Sequence, residues 1–450
     1  MQSIHLRPAR LVTALGLVLG LFIPFRALAA APTLSAPVAL DVRESYRLLS
    51  STYYKPVEPQ SLVDAARNAL IAQAHKHGAR VDVPAIDAQG DTAATMQQLD
   101  RAIESVAQAA HGTPTEYAYA AIDGMAKSVK DRWTAFLDPK EFKDFNEALD
   151  PQKISGIGVL IEQDPTTKLV RASYVVPGTP ADRAGVLPGD NFVTIDGVST
   201  KDLSQEQASK MLRGKAGTVV HIAIAPTGSA PTQTLAITRS EIQPPTVIYK
   251  MLADHIGYVY VLAFGRATPS EFDAALARLK RGGARALVLD LRNDGGGYVD
   301  SALEISSSLI ANKPLVTVEQ RGTANQTINA QDDTRIDVPV SVLVNGYTAS
   351  ASEITAGALQ DDGIGVLVGT KTFGKGVMQT LTPLPDGSAI KITTAHYLTP
   401  NGKDINLRGI EPDIRIGENR GARFGEAKDD AQLRAAVDVL QKKIADATKP

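Results

Sequence analysis

Apolar residues recur at three- and four-residue intervals through Val42, Tyr46, Leu48 and Leu49, and again through Leu62, Ala65, Ala66, Leu70 and Ile71. This periodicity predicts helices from Asp41 onward. A less regular stretch over 78–115 contains an amphipathic pattern at 91–110, and a further helix is expected over 117–129. The texture changes at residue 155. Short apolar runs at 169–175, 191–195, 219–224 and 235–238, punctuated by Gly and Pro, predict strands joined by tight turns. Gln243, Pro244 and Pro245 read as a linker, after which strand and helix patterns alternate: a strand over 256–262, a helix over 270–279, a buried strand at 286–292 and a helix over 299–310. The run Val340–Val344 is a second buried strand, turning at Asn345 and Gly346 into a helix. Such alternation implies an α/β fold with a parallel or mixed sheet and helices against it. Near the end, Leu433, Val437, Leu440 and Ile444 keep helical spacing. An amphipathic tail of this kind suits docking or self-association, and equally packing on its own domain.

The chain has 450 residues, room for about three domains, and 44% of them are apolar. Its 47 basic and 49 acidic residues leave a net charge of −2, which gives no electrostatic case for nucleic acid or an anionic membrane as a partner. Residues 1–29 follow the order of a secretory signal: Arg7 and Arg10, an apolar run from Leu11 to about Phe25, and Ala27-Leu28-Ala29. Cleavage is expected after Ala29, with no membrane insertion afterwards. A retained anchor is the other reading, opposed by Gly16, Gly20 and Pro24 within the run. There is no cysteine. Export without disulfides fits a bacterial cell-envelope or periplasmic protein, and it removes any thiol mechanism.

Ser350 stands at the turn between the Val340–Val344 strand and the next helix. A hydroxyl there lies beside free amides and the positive end of the helix dipole, as a nucleophile for acyl transfer needs. Ser350-Ala-Ser-Glu353 also fits a capping box, in which the serine merely satisfies an amide. Lys375, between Gly374 and Gly376, gives the serine a candidate base, because burial beside small residues lowers a lysine pKa. Gln379 is placed to orient the amine, or is an ordinary exposed amide. Glu353 and Asp361 are read as supporting acids in ion pairs. Gly369 to Lys375 has P-loop spacing, but Gly376 occupies the position where a hydroxyl would hold magnesium, so neither a nucleotide nor a metal cofactor is expected. His75 and His77, two apart, do not share a helix face, and no Gly-x-Ser-x-Gly accompanies His396. Asn293-Asp294-Gly295-Gly296-Gly297 closes the 286–292 strand and either supplies oxyanion amides or is a plain turn into the helix.

Thr348-Ala-Ser350-Ala-Ser352-Glu353, Ala356 to Asp361 and Thr372-Phe-Gly-Lys375-Gly-Val-Met-Gln379 together resemble the active-site region of the carboxyl-terminal processing proteases. The resemblance spans about residues 40–415 and implies Ser350 as nucleophile, Lys375 as general base and Gln379 as the residue positioning it. It implies oxyanion donors at Ala351 and at Gly297 or Gly296, with Gly295 where the family commonly has proline. Ser155-Gly-Ile-Gly-Val-Leu160, Pro180 to Asp190, Ile195-Asp-Gly and Leu212-Arg-Gly resemble a protease-associated PDZ domain, in which Ile157, Gly158 and Val159 would receive a substrate's C-terminal carboxylate. The implied organisation is a signal (1–29), an N-terminal helical region (30–153), a PDZ domain (154–242), a serine protease core of the ClpP/crotonase type (243–416) and a helical tail (417–450). The implied partners are polypeptides with free C-termini, with a homo-oligomer or adaptor open. The reading from another class is a noncatalytic PDZ scaffold.

Overall fold

The computed structural model describes residues 33–164, 166–201, 203–225, 232–331, 337–417 and 425–447; the signal expected at 1–29 lies outside them. The N-terminal periodicity becomes four helices, α1 (Ala36–Thr52), α2 (Pro59–Lys76), α3 (Thr92–Ala109) and α4 (Pro114–Ser128). Proline opens α1, α2 and α4, where no amide bond is forfeited, and the Thr113 hydroxyl accepts from the Glu116 amide to cap α4. Their apolar stripes, among them Val42, Leu49, Leu62, Leu99 and Ile122, close on one core. The weakly patterned stretch thus contributes α3, packed on α2 and α4. His77 pairs with Glu116 at 2.7 Å. A short strand, β1 (Ala135–Leu137), and helix α5 (Pro139–Leu149) follow; Asp138 and Glu141 form a full capping box on α5, none of whose residues is fully buried.

The Gly/Pro-punctuated region forms a small β module. After β2 (Ile154–Gly156) come β3 (Val159–Gln163), β4 (Val170–Val175), the short α6 (Pro180–Arg183), β5 (Asn191–Ile195), β6 (Val198–Ser199), α7 (Gln205–Leu212), β7 (Val219–Ala225), β8 (Gln233–Thr238) and β9 (Ser240–Ile242). The sheet runs β3-β4-β5-β7-β8, with β6 on β5, while β2 and β9 pair as a separate ribbon. Alternate residues such as Val170 and Ala172, Phe192, and Val220, Ile222 and Ile224 fill its core. β3 is an edge strand, and α7 packs beside it.

The remaining elements are β10 (Val247–Met251), β11 (Ile256–Val261), α8 (Thr268–Arg281), β12 (Ala286–Asp290), α9 (Val299–Ser307), β13 (Pro314–Gln320), β14 (Gln326–Asn329), β15 (Val340–Val344), α10 (Ala351–Asp361), β16 (Gly365–Gly369), β17 (Val377–Pro383), β18 (Ala389–Leu398), β19 (Ile414–Arg415) and α11 (Ala431–Ala447). A six-stranded sheet runs β10-β11-β12-β15-β16-β19, parallel except for β10. Every residue of β12 and β15 is buried, because both faces are covered. Leu287, Leu289, Val340 and Val342 face α8, α9 and α10, whereas Ala286, Val288 and Leu343 face Leu433, Ala436 and Leu440 of α11. The amphipathic tail therefore packs on its own sheet. A second sheet, β1-β18-β13-β14 with β17 on β18, stands beside it. Leu384, Ile390 and Ile392 from the β17–β18 hairpin enter the core of the N-terminal helices, and Ala135 pairs with Lys391 across β1 and β18. This hairpin begins directly after the glycine-flanked lysine.

Candidate active site

β12 and β15 are parallel neighbours, with Asp290 beside Leu343, so the turns leaving their carboxyl ends emerge side by side. One turn carries the three glycines and the other carries Ser350. Thr348 ties them together: its hydroxyl donates to the Leu291 carbonyl at 2.8 Å and accepts from the Asn345 amide at 2.9 Å. Ser350 has φ 59° and ψ −118°, a strained conformation for a side-chain-bearing residue, forced by the sharp passage from strand to helix. That turn presents the residue at a cavity of about 510 Å³, lined also by Lys375 and Gly295, Gly296 and Gly297.

The capping reading of Ser350 needs revision by half. Glu353 Oε2 does accept from the Ser350 amide at 2.9 Å. The Glu353 amide, however, donates to the Ser350 carbonyl at 2.8 Å, and the Ser350 hydroxyl makes no side-chain cap hydrogen bond although it sits in the capping-box arrangement. Glu353 is fully buried and, among the described residues, forms no ion pair of the kind its charge suggested. Its carboxylate instead accepts from Thr372 Oγ1, the Gly374 amide at 2.8 Å and the Lys375 amide at 2.8 Å. Burial pushes its pKa up and these donors oppose that. Tyr397, also buried, directs its hydroxyl at the carbonyls of Lys375 (2.5 Å) and Ser350 (3.1 Å). Asp361 does form an expected ion pair, with Lys403 at 3.0 Å.

The Lys375 pKa is lowered to about 8, first by burial and then by the charge of Lys391; Asp131 and Glu353 act in the other direction. Its Nζ lies 4.8 Å from the centre of the Trp133 ring, which is itself flanked by Arg132 (4.4 Å) and Phe373 (5.8 Å). Gln379 lines the same cavity but does not hold the amine: its Nε2 donates to the Trp133 carbonyl, and it has no hydrogen bond to Lys375 among the described residues. The expected hydrogen bond from Gln379 to the amine is thus not formed; Gln379 is tied instead to the backbone of Trp133, whose ring covers the lysine. Trp133, Tyr397 and Lys391 are the site residues that the motifs did not reveal. Trp133 is the chain's single tryptophan, which was a signal, but its partners are far away in sequence.

The two amides expected to bind an oxyanion are both without a protein acceptor among the described residues. Ala351 opens α10, so its N–H has no helical partner. The Gly296 N–H donates to Asp294 Oδ1 at 2.8 Å, whereas Gly297 has no such bond, so the geometry favours Gly297 over Gly296. Only glycine fits at 296, where φ is +94° and a Cβ would lie 2.7 Å from the Ala349 carbonyl and 2.8 Å from the Ala351 amide.

Ile157, Gly158 and Val159 line a second cavity of about 510 Å³ between β3 and α7, together with Leu212 and Arg213. Gly158 has φ +87°, and a side chain there would collide with Thr179. The Ile157 and Gly158 carbonyls accept from Ala181 (2.8 Å) and Val176 (3.0 Å), which fixes the loop. Among the described residues no group of three or more His, Cys, Asp or Glu is arranged to hold a metal ion, and no helix is long and apolar enough to cross a membrane.

This arrangement defines a class: an α/β core with a serine and a lysine at one cavity, joined to a β module with an open strand edge. Residues 255–416 match the model of peptidase family S41, and residues 171–226 match a PDZ domain. A carboxyl-terminal-processing protease of Picosynechococcus is 34% identical over 72% of this chain and 79% of its own length. One from Synechocystis is 35% identical over 74% and 79%. The solved structure of a photosystem II D1 C-terminal processing protease aligns over 90% of this chain and 98% of its own, at 27% identity and a TM-score of 0.46. The chain belongs to peptidase family S41, the carboxyl-terminal processing proteases, and carries a PDZ domain.

Proposed function

We propose that the chain is a serine endopeptidase of the cell envelope that captures C-terminal tails of unfolded or precursor polypeptides in its PDZ groove and cleaves by a Ser350/Lys375 mechanism. The observation that carries this reading is the shared cavity: a strained serine, a lysine with a pKa near 8 and the glycine turn that holds the Gly297 amide line one space, and the Ala351 amide follows the serine directly in the chain. Neutral Lys375 takes the hydroxyl proton as Ser350 Oγ attacks the scissile carbonyl carbon. The carbonyl oxygen becomes the oxyanion, held by the Gly297 and Ala351 amides. The protonated lysine then gives its proton to the departing amine, and water repeats the sequence to free the acyl group. A tail in the groove would add as a strand to β3, with its carboxylate at Ile157, Gly158 and Val159. Phe145, Ala148 and Leu149 line the catalytic cavity while Glu147, Pro151 and Gln152 line the groove, so one short segment lies between capture and cleavage. The signal pattern at 1–29 supports action outside the cytoplasm.

The test is hydrolysis of an unfolded protein with a free C-terminus, in excess chelator. Wild type is expected to cut, and Ser350→Ala and Lys375→Ala to lose at least about 10³-fold in kcat/KM. If both variants cut as well as wild type, the chain works as a tail-binding scaffold whose apparent activity comes from elsewhere.

A further inference from the structure

Asp294, one residue before the triple glycine, is 1% exposed, and the mechanism above gives it no role. Its atoms nevertheless join both halves of the cleft. Oδ1 accepts the Gly296 amide at 2.8 Å, and its carbonyl oxygen accepts the Ala349 amide at 3.0 Å and the Ser352 hydroxyl at 3.1 Å. The residues on either side of Ser350 are thus pinned to the same residue that shapes the glycine turn. Among the described residues Oδ2 is buried without a hydrogen-bond partner. A turn that only needed closing would be served by a small polar residue with no second oxygen to leave stranded.

We propose that Asp294 is the positioning residue of the oxyanion hole: by taking the Gly296 amide it leaves Gly297 as the donor, and its carbonyl sets that donor's register against Ala351. This rests on the reading of Ser350 as nucleophile. The residue touches no reacting atom, and acts through the two amides.

The carboxyl also carries a charge question. Burial pushes its pKa up to about 7, against the Gly296 amide bonded to Oδ1 and the nearby Ser352 hydroxyl, whose own hydrogen bond goes to the Asp294 carbonyl oxygen. The groups around it are Tyr260 on β11, on whose phenol the Asp294 charge acts, Asp290 and Arg292, paired at the end of β12, and Lys375 and Glu353 across the serine turn. None neutralises Oδ2. An ionised Asp294 beside a developing oxyanion opposes it, so turnover per unit of free Lys375 amine falls as the carboxyl loses its proton.

The experiment measures kcat and KM of wild type, Asp294→Ala, Asp294→Asn and Ser350→Ala from pH 6 to 8.5, with circular dichroism and thermal unfolding to verify the fold. Asp294→Ala is expected to lose about 10²-fold in kcat with KM changed by less than about threefold. Asp294→Asn keeps an acceptor for Gly296 without the charge; its kcat relative to wild type is expected to rise with pH across this range. A folded Asp294→Ala with kcat within about threefold of wild type overturns the proposal, as does a loss confined to KM. Should Asp294→Ala not fold, Asp294→Leu, of similar volume but without the acceptor for Gly296, decides: a comparable loss of kcat with KM kept supports the proposal, and a kcat within about threefold of wild type overturns it. Ser350→Ala separates the two readings: if it is as active as wild type, the site assignment itself fails and this proposal falls with it, whereas a dead Ser350→Ala beside an unaffected Asp294→Ala removes this proposal alone.

Discussion

One carboxylate oxygen holds Ser350 and Lys375 together: Glu353 Oε2 accepts the serine amide at 2.9 Å and the lysine amide at 2.8 Å. Two residues 25 positions apart are thereby referred to a single buried atom. Glu353→Ala would leave four donors without this acceptor: Thr372 Oγ1 and Gly374 N, both buried, and Ser350 N and Lys375 N, both half-buried. It is expected to cost at least about 3 kcal/mol in urea unfolding and to reduce cleavage sharply. Glu353→Gln, which keeps one acceptor oxygen, should fall between. A stability change within about 0.5 kcal/mol for the alanine variant would remove the carboxylate from this role.

Lys391 lines the catalytic cavity, and its charge is the second cause, after burial, of the low Lys375 pKa. Lys391→Met removes that repulsion, so the Lys375 pKa rises from about 8. The acidic limb of kcat/KM should therefore move to higher pH, with activity at pH 7 down severalfold and activity at pH 9 nearly kept. A limb that stays in place, or moves to lower pH, contradicts the assignment of this limb to Lys375.

Trp133 covers the lysine and is fastened by Gln379. Trp133→Ala admits water to the amine, and the lost burial outweighs the lost cation–π attraction, which also favoured the charged form. We expect roughly a tenfold loss of kcat/KM at neutral pH that shrinks at pH 9, and a smaller effect for Trp133→Phe. Equal losses at both pH values would assign the ring to substrate binding.

Burying Lys375 costs stability, and the sign follows from proton uptake. The folded amine titrates near 8 and the unfolded one near 10.4, so between these values the unfolded chain binds more protons and stability rises with pH. Below pH 8 the whole penalty stands. Lys375→Met should be more stable than wild type at pH 7, by something on the order of 2 kcal/mol, with the advantage shrinking toward pH 10. Thermal unfolding at the two pH values checks this.

Gly158→Ala places a side chain against Thr179 at a left-handed position. It should weaken binding of a fluorescent peptide with a free C-terminus by at least about tenfold in anisotropy titrations, while an amidated peptide binds poorly to wild type and variant alike.

The parallel strands were legible because burial on both faces writes continuous apolar runs, as in Val340–Val344, and α3 was found at Thr92–Ala109 from its stripe alone. Ser350 and Lys375 were legible through small residues and glycines that only a close backbone approach explains. What the sequence withheld is long-range. Gln379 and Trp133 meet across 246 positions, and neither carries a local pattern announcing the other. Glu353 looked like an ion-pairing acid because charge is visible in a sequence, and three converging amides and a threonine hydroxyl are not. The tail's destination, open between self and partner, was set by the second face of the sheet at Ala286, Val288 and Leu343, which a periodicity argument does not assign to a particular helix.

The β17–β18 hairpin buries Leu384, Ile390 and Ile392 among the first four helices, and β1 zips onto β18. A chain still emerging from the ribosome has its earliest helices but no wall against which to bury Lys375. The walls around Lys375 are therefore not complete until synthesis has passed Leu398. The surroundings of Lys375 are thus completed by topology, late in the chain.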